Sequence, residues 1–155
     1  MKNKLAKRIK KNKPFVFSQK IDPFRKEILV SVGAETKDIL SYVNKYYIKQ
    51  ARKDFPVILE YYKDLFEKIK KGKGGYALHF HNDKSNNRYL ILLLRPYEDI
   101  WDYWEILIHE LSHILDWVVE DCMIEKETEA RAYLHEFLFR SIRRKLQGLD
   151  NRAAE

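Results

Sequence analysis

The spacing of apolar positions changes several times along this chain, and each change marks an element. Glu27-Ile28-Leu29-Val30-Ser31-Val32-Gly33 alternates and is β-branched, which predicts a strand ended by glycine. Glu35-Thr36-Lys37-Asp38 opens a helix on which Ile39, Leu40, Val43 and Tyr47 recur at helical spacing. Pro56 predicts the start of a second helix, with Ile58, Leu59, Tyr62, Leu65, Phe66 and Ile69 on one face. Lys70-Lys71-Gly72-Lys73-Gly74-Gly75 reads as a turn. Tyr76–His81 and Arg88–Leu94 then predict a hairpin around the polar loop 82–87. A long helix follows from about Glu98 to Val119, a short connection over Asp121–Glu125, and a last helix from about Lys126 to Gln147 that Gly148 ends. Pro14–Asp22 reads as a loop or an irregular strand. The order β-α-α-β-β-α-α predicts a small α+β domain without repeats.

Composition narrows the class. A length of 155 residues suits one domain, and 45% hydrophobic with 14% aromatic residues supply a core. Cys122 is the single cysteine, which excludes an intrachain disulfide framework and suits a reducing compartment. No apolar run reaches bilayer length, and Phe15-Val16-Phe17 is too short for a signal-peptide core. These features predict a cytoplasmic protein with no membrane partner. The net charge of +7 suggests nucleic acid until its location is considered. Residues 1–13 hold seven of the 30 Lys and Arg and no acid, so the rest carries 23 charges of each sign. The excess therefore belongs to a basic tail, expected to be disordered, ahead of a folded unit over 14–155. The tail lacks the aromatic interleaving of a single-strand binder, which weighs against nucleic acid as the main partner.

The strongest chemical signal is His109-Glu110-Leu111-Ser112-His113, an H-E-x-x-H pattern on the predicted long helix. Histidines four apart stand one turn above each other, so both imidazoles can face one ion. Zinc suits neutral imidazole and a tetrahedral shell. Glu110, rotated about 100° from His109, can reach a metal-activated water without being a ligand, and would serve as general base and then acid. The helical phase supports a site: Trp104, Leu107, Leu111, Leu115 and Val118 form a core stripe. His109, His113, Asp116 and Glu120 lie opposite it, with Asp102 and Glu105 upstream. Asp116, one turn beyond His113, is the candidate to orient that imidazole. The plainer alternative is a solvated face of an amphipathic helix.

A catalytic zinc keeps one position open, so the protein must add a third ligand. The last helix offers Glu127 and Glu129, about 200° apart. Glu127 lies nearer the middle of the apolar face formed by Ala130, Leu134, Phe137, Leu138 and Ile142. Level along the helical hairpin favours Glu129 instead: with the turn centred near Cys122, the residue opposite His113 falls near position 131. Ala132 would also let the helices approach closely. Both glutamates equally suit a helix N-terminus.

Leu92–Leu138 resembles a family of small phage and prophage zinc metallopeptidases. Their pattern is a strand, an H-E-x-x-H helix, and a helix opening D-E-x-x-A-Y-L; here the matching residues are His109, Glu110, His113 and Glu129-Ala130-Arg131-Ala132-Tyr133-Leu134. Ile28–Gly33 is similar to that family's early strand. Thr128 departs from the aspartate of the pattern, and the loop after His113 is short. The arrangement is also similar to ImmA/IrrE-type peptidases. The resemblance implies a zincin-like fold, a gluzincin-type ligand set with Glu129 as the acidic ligand, and action in a host cytoplasm.

Other residues carry weaker signals. Tyr133, one turn from Glu129, could face an oxyanion, although packing is the simpler role. His79 and His81 share one strand face and could form a second metal site; strand surface near a turn is simpler. His135 is expected to be exposed and away from both glutamates. Trp101, Trp104 and Trp117 suit packing. Cys122 has no partner for nucleophilic chemistry. Arg140, Arg143, Arg144 and Lys145 suit a helix C-terminus or an anionic partner.

Together these observations predict a zincin-like α+β domain: a short sheet on the H-E-x-x-H helix, followed by a ligand-bearing C-terminal helix. The expected function is zinc-dependent hydrolysis of peptide bonds in a peptide or protein. Arg88–Leu94 is the strand expected to hold an extended substrate. The rivals are a catalytically inactive binding protein on the same scaffold, and a nucleic-acid-associated protein acting through its tail.

Overall fold

In the computed structural model, residues 13–22, 24–72, 74–122 and 129–148 are described. The predicted strands form where expected, and one more precedes them. Strand β1 is Phe15–Ile21, β2 Lys26–Val32, β3 Gly75–Asn82 and β4 Asn87–Leu94. The stretch read as a loop or irregular strand is thus a full strand: Phe15, Phe17, Gln19 and Ile21 point inward in strict alternation. Polar Gln19 at an inward position hides that alternation. Its burial is compensated because its Oε1 accepts from Lys145 Nζ at 2.8 Å and its Nε2 donates to the Lys20 carbonyl.

The sheet order is β1-β2-β4-β3, with β2 and β4 parallel and the outer pairs antiparallel. The two central strands read as nearly unbroken apolar runs because both of their faces are covered. Ile28, Val30, Leu90, Leu92 and Leu94 face one core, and Leu29, Ile91 and Leu93 face the other.

Helices α1 (Thr36–Tyr46), α2 (Lys49–Tyr61) and α3 (Lys63–Lys70) cover the second core. The α1 entry is held by Asp38, whose carboxylate accepts from the Glu35 N–H at 2.9 Å. The predicted helix starting at Pro56 is instead two helices. Pro56 lies inside α2, because Ala51, Asp54 and Phe55 extend the buried face of Ile58 and Leu59 back by two turns. The chain breaks at Tyr62 and α3 restarts the apolar face with Phe66 and Ile69.

Helices α4 (Trp101–Asp121) and α5 (Glu129–Leu146) cover the first core as an antiparallel pair. On α5, Leu134, Leu138, Ile142 and Leu146 are buried at four-residue spacing. The molecule is therefore a mixed α+β structure with a four-stranded sheet between two helical layers. Among the described residues no helix is long and apolar enough to cross a membrane.

This topology corrects one expectation. Arg88–Leu94 is β4, paired on both sides by β2 and β3, so it has no free edge for a substrate. The edge strand beside α4 is β3.

Candidate active site

Helix α4 buries Tyr103, Trp104, Leu107, Leu111, Ile114, Leu115, Val118 and Val119, which turns His109 and His113 outward. Their Nε2 atoms converge to 3.2 Å, with the rings nearly perpendicular. Two nitrogens on one tetrahedral zinc at about 2.0–2.1 Å stand about 3.3–3.4 Å apart. The pair therefore fits a shared ion in separation and in the nitrogen presented. Trp117 lies one turn further on, its ring 6.5 Å from that of His113 and 5.3 Å from that of His79 on β3. It fills the space between α4 and the edge strand beside the imidazoles.

Glu110 points from α4 toward β3. Its Oε2 accepts from the Ala77 backbone N–H at 2.7 Å. That contact needs the helix close to the strand, and Gly75 permits it. A Cβ at Gly75 would meet Ile106 Cγ2 at 2.9 Å and the Leu93 carbonyl at 3.1 Å. One carboxylate oxygen of Glu110 is thus tied to the sheet, one residue from His109.

Among the described residues no third ligand is brought to the pair. Glu129 is the first residue of α5 and is exposed, and Glu127 lies outside the described residues. Among the described residues no group of three His, Cys, Asp or Glu is arranged to hold a metal. The start of α5 nevertheless lies level with His113. The Arg131 guanidinium donates to Asp116 at 2.7 Å and to Ser112 Oγ at 3.3 Å, so the first turn of α5 lies beside the turn of α4 that carries His113.

Several secondary expectations change. Asp116 pairs with Arg131, and no bond from it to His113 is present. His135 reaches α4, where its Nε2–H donates to the Ile108 carbonyl at 3.2 Å. Tyr133 is 70% exposed and does not pack, and Trp101 is 71% exposed with its indole N–H on Glu105. His79 and His81 do not pair as ligands. His81 bonds Asn86 and Asp83 at the hairpin turn, while His79 Nε2 is buried without a hydrogen-bond partner. Burial holds the His79 imidazole below its ordinary pKa, outweighing the pull of Asp121. The basic cluster on α5 is divided: Arg140 pairs with Glu136, Arg143 lies over the Trp104 ring, and Lys145 turns inward to β1. The sequence reading missed the Glu110–Ala77 bond and the Trp117 bridge. Neither leaves a local signal, because both partners of each lie far apart in the chain.

A cleft of about 360 Å³ opens elsewhere, between the starts of β2 and β4 and the α1–α2 turn. Lys26 and Arg88 reach into it and both bind Asp121. Burial pushes the Asp121 carboxyl up, but these two cations outweigh it and hold it below the carboxylate range. The imidazole pair is not part of this cleft. No protein-family model, curated protein or solved structure matches the chain.

Proposed function

We propose that this chain is a zinc-dependent peptidase of the zincin type, with His109 and His113 as ligands and Glu110 as general base. The observation that carries the reading is the 3.2 Å convergence of the two Nε2 atoms one residue from a carboxylate. We assign Glu129 as the third ligand from its level along α5 and from the Glu129-Ala130-Arg131-Ala132-Tyr133-Leu134 pattern. On the same motif we group the chain with the phage and prophage zinc metallopeptidases it resembles, acting in a host cytoplasm.

Zinc, when bound, would polarise the scissile carbonyl and acidify a water. The chain's own residues do the rest. Glu110 takes a proton from the water as its oxygen attacks the carbonyl carbon, then delivers it to the amide nitrogen as the C–N bond breaks. Its tether to Ala77 leaves the other carboxylate oxygen for that transfer. The substrate we assign is an extended peptide added to the open side of β3, where backbone groups supply affinity and alternate side chains supply specificity.

A second reading has one observation behind it: the described residues do not complete a three-ligand group. On that reading the protein is a peptide-binding module that kept the scaffold without the chemistry. Zinc stoichiometry separates the two. The peptidase should purify with one zinc per chain, lose it in His109→Ala and His113→Ala, and hold it weakly in Glu129→Ala. Wild-type protein free of zinc after purification and reconstitution would end the peptidase reading.

A further inference from the structure

We propose that Glu110 is latched to the edge of β3 and that a peptide docking there as a strand releases it. The proposal rests on the peptidase reading for its consequence, but its geometry is independent of any metal. Among the described residues β3 pairs with β4 on one side only. Along such a strand, successive residues present their N–H and C=O alternately to the partner and to the open side. Ala77 N–H is on the open side, because Glu110 takes it from α4 at 2.7 Å. By the same alternation Gly75, His79 and His81 present their backbone groups to that side.

An incoming strand binds such an edge by placing its carbonyls on the outward N–H groups. The Glu110 carboxylate already holds the position that one of those carbonyls requires. It is the stronger acceptor, being charged, and the single Ala77 N–H cannot serve both in good geometry. The edge is therefore occupied at one point by the protein's own base. A peptide long enough to gain further bonds along β3 can displace it, and Oε2 then becomes available beside the imidazole pair. Close approach of α4 is built into the fold through Gly75, where any Cβ would strike Ile106 and the Leu93 carbonyl. Release of the second carboxylate oxygen, and with it the freedom of the Glu110 side chain to move, is thus coupled to occupancy of the edge.

The test uses the full chain, zinc-free, titrated with a blocked alternating Thr-Val peptide and followed by amide resonances and their hydrogen exchange. Glu110→Ala removes the competing acceptor and should bind the peptide more tightly, on the order of tenfold for one charge-assisted hydrogen bond. Its Ala77 amide should exchange fast. Glu110→Gln keeps a carbonyl acceptor, weaker than the carboxylate, and should retain a slow Ala77 amide with an affinity between those of wild type and Glu110→Ala. Peptide binding by Glu110→Ala no tighter than wild type, an Ala77 amide that stays slow in Glu110→Ala, or no binding to any of the three proteins overturns the latch. Because zinc is absent throughout, failure of the peptidase reading shows separately, as wild-type protein that takes up no zinc.

Discussion

Two carboxylates reach the β3–β4 hairpin from opposite sides of the sheet, and they are treated differently. Asp54 on α2 is buried and accepts from Gln50 at 2.9 Å, Asn82 at 2.8 Å and the Tyr89 hydroxyl. Glu110 on α4 is half-buried, and its bond is to a single backbone N–H. Asp54 has both oxygens engaged within the fold, and it pins the turn end of the hairpin to α2. Glu110 keeps one oxygen uncommitted next to two converging imidazoles. One acid has both oxygens bound within the fold; the other keeps an oxygen uncommitted beside two imidazoles, as the proposed role requires.

Five experiments break or sharpen this contrast. The largest effect is expected for Glu110→Gln. It should lower peptide hydrolysis by about 10²–10⁴-fold while zinc content and unfolding free energy stay near wild type. Loss of zinc from this variant would contradict the role of Glu110. Next, Asp54→Ala leaves three buried or half-buried donors unsatisfied. It should cost about 2–4 kcal/mol in denaturant unfolding, with the imidazole pair unaffected.

The same acid carries a pH signature. Burial raises the Asp54 carboxyl, but the bonds from Tyr89, Gln50 and Asn82 outweigh it and hold it below the usual aspartate range. A depressed folded-state pKa stabilises above the unfolded value and stops doing so as pH falls through the folded one. Stability should therefore fall as pH drops from about 5 toward 2. Asp54→Asn should flatten that fall, and Asp121 and the exposed Glu35, whose carboxyls are also held low, contribute to the part that remains.

Gly75→Ala should follow, at about 1–3 kcal/mol, because the new Cβ overpacks against Ile106 and the Leu93 carbonyl. If α4 yields, the Ala77 amide should lose exchange protection while Asp54 and its partners keep theirs. The smallest effect is expected for Arg131→Gln. Its partner Asp116 is 55% exposed, so the ion pair should contribute at most about 1 kcal/mol. A larger loss would show that the α5 start is held on α4 mainly through Arg131.

Much of this architecture was legible in the chain. The strands over Lys26–Val32, Gly75–Asn82 and Asn87–Leu94, the α4 helix and the outward placement of His109 and His113 all follow from local periodicity. β1 was obscured by Gln19, whose burial is explained only by Lys145 from the far end of the chain. Pro56 misled for a related reason: a proline usually opens a helix, yet burial of Ala51 and Phe55 carries α2 through it.

The sequence by itself determined that two imidazoles share one helix face with a glutamate between them, because four-residue spacing is a property of a single helix. Tertiary structure alone decided which strand is the edge and which backbone N–H meets Glu110. Those facts depend on pairing between segments far apart in the chain. Such pairing is selected by how whole faces bury against one another, and no local window of residues encodes it.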